Sequence, residues 1–201
     1  QATHDSRAPV LVNDLDLKRQ PRLRAVNAFE LAGLNEEAAT ILFAQNARRT
    51  RHDFVLADVL PSVIELCDLV SGSPLGIELA AAQLDITTCA ELAINLRRTI
   101  AELAVDFVDM PPRHRSLRAM FLHSWQLLSP TEQAGLAALS VFHGGFTAEA
   151  AQQIGIITAA TLQGLMAKSL LQQQNGRFSL HHLVREFARE QLTNNAPIAA
   201  H

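Results

Sequence analysis

Few residues in this chain are placed to do chemistry. It holds eight histidines and two cysteines. Cys67 and Cys89 stand 22 positions apart without C-x-x-C spacing or a companion His/Cys cluster, so neither a zinc finger nor a disulfide framework is expected. No histidine stands four before another, as two metal ligands on one helix face require, and H-E-x-x-H does not occur. The sequence has no G-x-x-x-x-G-K-[ST] loop to wrap a triphosphate in backbone N–H groups and a lysine, so the chain is not expected to work as an ATPase by itself. Gly72-Ser73-Pro74-Leu75-Gly76 lacks the residue between Gly and Ser and the preceding strand that a nucleophile elbow needs. Val10 to Asp14 imitates a Mg-binding strand end, but an apolar run closing on Asp is common, and a surface segment explains it as well. No enzyme is read from these residues.

The elements that must position them are helical. With 201 residues, 48% hydrophobic and 18% charged, 9 Gly and 8 Pro, the chain has the composition of a globular protein, not of a disordered or collagenous one. Its formal charge of -3 argues against general polyanion binding by the whole chain. The charge is uneven: residues 1–35 carry 5 basic and 4 acidic side chains, residues 36–112 carry 5 and 12, and residues 113–201 carry 7 and 4. Two differently charged modules follow a lead-in. No run of 18 apolar residues and no leader is present, so a cytoplasmic protein without a membrane span is expected; opening on Gln1, the chain reads as a piece of something longer.

Pro9 and Pro21 break any helix before residue 24, and Ala25 to Leu31 suits a short strand ending at Gly33. Asn35 as N-cap, Glu36 and Glu37 behind it and Arg48, Arg49 and Arg51 at the far end predict a helix over 36–50. Val59, Val63, Leu66, Cys67 and Val70 recur at helical spacing up to a C-terminal cap at Gly72. Ser73 and Pro74 then open a helix that is apolar on nearly every side through Leu84, and a fourth stripe runs from Cys89 to Leu103. Beyond Met110-Pro111-Pro112, a helix carries Trp125, and Trp125 and Phe142 read as core residues. Ser129-Pro130-Thr131-Glu132 is a capping box, and Thr147 and Thr158 cap two short helices, the second with Leu162, Leu165 and Met166 on its buried side. Asn175-Gly176 joins Leu170 to Gln174 and Arg177 to Leu180 as a hairpin before a last helix bearing Leu183, Val184 and Phe187. The fold class expected is mainly α: a four-helix bundle over 35–112, then a winged helix-turn-helix with one β-hairpin over 113–201, with 1–34 as lead-in.

A winged helix raises DNA binding, in which the helix before the wing faces base edges and cations face phosphates. That helix offers Lys168 at its end, and the wing adds Arg177. Two cations forfeit most of the counterion-release term, so DNA contact by this segment is not the first expectation. Arg113, Arg115 and Arg118 form either a solvated helix start or a face toward the acidic bundle.

Four segments in order, 66–84, 113–133, 139–151 and 178–188, resemble STAND-type signalling ATPases of the NB-ARC kind, above all the ATPase core of large bacterial LuxR-type (SARP-like) transcriptional regulators. The resemblance covers roughly residues 25–193. It implies a nucleotide switch on one polypeptide: a P-loop domain, a helical bundle, a winged helix and sensor repeats, of which this chain carries the second and third, with 1–34 a remnant of the first. It implies ADP or ATP as ligand only together with that P-loop domain as partner, with self-association kept among the partner expectations. In the family a Gly-x-Pro motif sets its proline against adenine; Gly72, Pro74 and Leu75 match it here. A Met-His-Asp motif puts its His on the β-phosphate of ADP; Leu180, His181 and His182 match, with His182 where the family has an acid. Helix capping alone also explains Pro74 and His181. The alternative is a free-standing winged-helix DNA-binding regulator that uses Lys168 and Arg177 and dimerises through 36–112.

Overall fold

The computed structural model describes residues 33–106, 109–154 and 156–194. The lead-in and the strand expected over Ala25 to Leu31 lie outside these residues. From Gly33 onward the chain forms one compact unit. Its described residues are mainly helical with a single two-stranded hairpin, as the apolar periodicities require.

Asn35 accepts the Ala38 N–H at 2.9 Å and starts α1, Glu36–Thr50, which buries Ala39, Phe43, Ala44 and Ala47. Helix α2, Leu56–Leu69, buries Val63, Leu66 and Cys67. Ser73 caps α3, Pro74–Ala82, which buries Leu75, Gly76, Ile77, Leu79, Ala80, Ala81 and Ala82 and is continued by a 3-10 turn, Gln83–Asp85. Apolar almost all round, α3 occupies the centre and packs on α1, α2 and the helix that begins at Pro112. Helix α4, Cys89–Asp106, turns Leu92, Leu96 and Leu103 inward against α2. It opens with a reciprocal box: the Thr88 hydroxyl accepts the Glu91 N–H at 3.2 Å while Glu91 Oε2 accepts the Thr88 N–H at 3.1 Å.

Pro112 takes the first position of α5, Pro112–Gln126, which lies against both α3 and α4. The Ser129 box with Glu132 opens α6, Pro130–Leu139, with both hydrogen bonds present. Thr147 caps α7, Ala148–Gln152, and Thr158 caps α8, Ala159–Ala167. On α8 the buried side is Thr161, Leu162 and Leu165, with Met166 half-buried beside them. Strands β1, Gln172–Gln174, and β2, Arg177–Ser179, pair antiparallel across Asn175 and Gly176, whose φ of 51° and 75° are those of a type I′ turn. Phe146 adds a one-residue bridge to Phe178. Helix α9, His182–Asn194, closes onto α6 and α5, where Phe187 meets Phe121 at 5.5 Å and Trp125 edge-on at 6.0 Å. Trp125 and Phe142 are half-buried and packed against one apolar cluster that runs unbroken from Ala39 to Ala188.

Candidate functional site

The turn into α3 is built by two chain segments crossing at their backbones. At the end of α2 the Gly72 N–H donates to the Cys67 carbonyl at 2.9 Å and the Ser71 N–H to the Asp68 carbonyl at 2.8 Å, the two bonds of a Schellman motif. The left-handed first position outside the helix is thus held by Ser71, φ 54°, and not by Gly72 as the glycine in the sequence suggests. Gly72 follows it with φ 62° because space, as well as conformation, demands glycine there. A Cβ on Gly72 would stand 2.4 Å from the Leu34 carbonyl oxygen, and one on Gly33 would stand 2.0 Å from that of Ser71. The Leu34 N–H donates to the Gly72 carbonyl at 2.8 Å and ties the crossing. Ser73 then accepts the Gly76 N–H at 3.4 Å; Pro74 is exposed in the first turn and Leu75 is buried beneath it. Ser71 Oγ lies 3.5 Å from Ser116 Oγ of α5, so this turn also touches that helix.

His181 stands between β2 and α9. Its Nδ1 accepts the Leu183 N–H at 3.3 Å and its carbonyl accepts the Arg185 N–H, so it is the N-cap of α9. Burial, and then the neighbouring His182, hold the imidazole below the usual histidine range. A neutral ring that accepts at Nδ1 carries its proton on Nε2 and remains a donor there. His182 is exposed, its ring 4.5 Å from that of His181. The matched motifs sit on different elements, Gly72, Pro74 and Leu75 at the α2–α3 junction and His181 and His182 at the start of α9, and both α3 and α9 pack on α5.

On the winged-helix side, the Lys168 ammonium pairs with Glu132 at 2.6 Å. Burial works to raise the Glu132 carboxyl, but Lys168 and the Ser129 N–H outweigh it and hold it low. A Cβ on Gly164 would stand 2.3 Å from Glu132 Oε1, so the carboxylate lies directly across α8. Arg177 donates to the Gly145 carbonyl. The exposed side chains of α8 are Ala159, Ala160, Gln163 and Ala167. Arg118 pairs at 2.8 Å with Glu190 of α9. Among the described residues no group of three or more His, Cys, Asp or Glu is arranged for a metal ion, and no helix is long and apolar enough to cross a membrane.

No family model matches the chain. It is 33% identical over 167 residues to "Uncharacterized protein Rv0894" of Mycobacterium tuberculosis, covering 77% of this chain and 42% of that protein. It is 30% identical over 179 residues to "Putative HTH-type transcriptional regulator Rv0890c" of the same organism, covering 82% of this chain and 20% of that protein. The chain is a distant homologue of a protein that bears a transcriptional regulator's name. It spans about two fifths of the length of the first relative and one fifth of the second.

Two features were passed over in reading the sequence. One is the Thr88–Glu91 box, which its T-x-x-E spacing could have given. The other is the Gly33–Gly72 crossing, for which two glycines far apart in sequence give no local signal.

Proposed function

We infer that this chain is the non-catalytic helical and winged-helix part of a STAND-type transcriptional regulator of the cytoplasm, with a bundle over 35–112 and a winged helix over 113–201. It acts as a nucleotide-dependent switch together with a P-loop domain supplied elsewhere in the polypeptide. The observation that carries this reading is His181: a capping histidine kept neutral by burial, with Nε2 left to donate. Pro74, exposed on a turn fixed by Ser73 and the Gly33–Gly72 crossing, is the matching surface for the adenine. When bound, ADP supplies the negative phosphates that draw the two elements together; this chain's residues orient it and form no covalent bond with it. The alternative, duplex reading by α8, is the weaker one. Lys168 is held by Glu132, and the exposed side of α8 offers Gln163 among alanines, which leaves little for base edges or phosphates.

The test is nucleotide retention. A polypeptide carrying a P-loop domain ahead of this chain should hold ADP through purification and release it in the His181→Ala variant, while the 201-residue chain alone takes up none. ADP retained equally by His181→Ala and Pro74→Ala would overturn the reading.

A further inference from the structure

Where α6 ends against α9, a cleft of about 240 Å³ is lined by Ser140, Val141, His143, Arg189 and Leu192. Val141 is 58% exposed and Leu192 is 43% exposed, so the cleft presents aliphatic surface to solvent. The Ser140 hydroxyl is spent on the Ala137 carbonyl at 2.6 Å. The cleft is smaller than the roughly 300–1,000 Å³ of small-molecule sites, which suits a side chain better than a cofactor.

Arginines gather around it: Arg189 lines it, and Arg177 and Arg185 stand beside it. Several other cations rest on carboxylates: Arg51 on Asp53, Arg97 on Glu65, Arg118 on Glu190 and Lys168 on Glu132. Beside the cleft, Arg185 donates to the His143 carbonyl at 3.4 Å and Arg177 to the Gly145 carbonyl. A carbonyl fixes a guanidinium without cancelling its charge, and four further N–H donors remain. From Gln133 to Arg185 the sequence contains one carboxylate, Glu149; of the two that follow on α9, Glu186 and Glu190, the second is paired with Arg118. The loop His143-Gly144-Gly145 is exposed, and nothing lies within 4 Å of where a Cβ on Gly144 would be, so another backbone can come close.

We propose that this cleft and the Arg177–Arg185 rim form a docking surface for an acidic, aliphatic peptide segment of a partner protein, one aliphatic side chain entering between Val141 and Leu192 and its flanking carboxylates meeting the guanidinium rim. Charge complementarity selects the acid. The aliphatic floor selects protein over nucleic acid, because a sugar-phosphate chain gains nothing from Val141 and Leu192. The lining of the cleft includes none of Gly72, Pro74, Leu75, His181 and His182, although Arg185 of the rim stands one turn after His181.

The probe is a short fluorescein-labelled peptide of alternating leucine and glutamate, titrated by anisotropy with the full chain. A glutamine-for-glutamate peptide and a random DNA duplex run beside it. The acidic peptide should bind and weaken as salt shortens the screening length from about 30 Å to about 8 Å. Arg185→Gln should weaken it by about tenfold, as loss of a charge-assisted hydrogen bond does. Val141→Asp, at an exposed position, should do the same with an unchanged thermal melt, and Lys168→Gln should not. Equal binding of the glutamine peptide, tighter duplex binding weakened by the same variants, or no binding of the acidic peptide would each overturn the proposal.

Discussion

Replacing Gly72 with alanine tests the crossing on which the candidate site is built. The new Cβ meets two costs: a left-handed φ of 62°, and a Leu34 carbonyl oxygen 2.4 Å away with the Leu34 nitrogen at 2.9 Å. The first costs about 1–2 kcal/mol for an L residue. The second is backbone and not the end of a flexible side chain, so the 33–34 segment must move away. The Leu34 N–H bond to Gly72 is then lost, at about 1 kcal/mol. Alanine returns about 0.4–1 kcal/mol by restricting the unfolded chain. The net loss is about 2 kcal/mol, or about 1 M in the urea midpoint at a slope near 2 kcal/mol per molar. Gly33→Ala drives its Cβ to 2.0 Å from the Ser71 oxygen and should cost a similar amount. Both substitutions are relieved by one displacement, so the double variant should lose clearly less than the sum. Ser71→Gly is the control and should be nearly neutral, since relief of its own left-handed φ offsets the greater freedom of glycine in the unfolded chain. Equilibrium urea unfolding reads all four. A Gly72→Ala midpoint within error of the parent, or strict additivity of the pair, would refute the argument.

Glu132 is held low, so its contribution is complete above the ordinary carboxyl value of 4.5 and is lost as pH falls through its folded value. The urea midpoint of Glu132→Gln should therefore lie below the parent's at neutral pH and converge with it as pH falls through the folded value, below 4.5. His181 is also held low, so protonation favours the unfolded chain, and stability falls as pH drops below the ordinary histidine value of 6.5. His181→Asn, which caps without titrating, should flatten the parent's pH dependence between about pH 7 and pH 5 in the same assay. Burial pushes the Cys67 thiol up to about 12 and raises that of Cys89, so neither should react with a thiol reagent at neutral pH until urea unfolds the chain. Two thiols titrating rapidly in the native protein would contradict that burial.

Local chemistry made most of the helices legible. Asn35, Ser129, Thr147 and Thr158 each announce a helix start through a side chain that satisfies an N–H three residues on, and each does so in the structure. Asn175-Gly176 was equally plain, because few other pairs accept two positive φ angles in succession. What the sequence could not reveal depends on residues far apart in the chain. That Ser71 takes the left-handed position while Gly72 is kept for close approach follows from where Leu34 passes. Lys168 looked like a groove-facing cation until Glu132, 36 positions earlier, came to lie against it. Likewise the Nδ1 of His181 is assigned by a hydrogen bond that only the folded α9 supplies.

Two side-chain hydrogen bonds flank the apolar contact between α3 and α5, one before α3 and one after it. Ser71 meets Ser116, and Gln83 donates to Ser124 at 3.0 Å, where neighbouring interfaces use leucine and phenylalanine. Hydroxyls and an amide that part company are taken up by water at little net cost, whereas leucines pulled apart are not. Removing one partner of either pair would leave a polar atom without its bond inside an otherwise apolar contact, where a leucine cut short would leave a void.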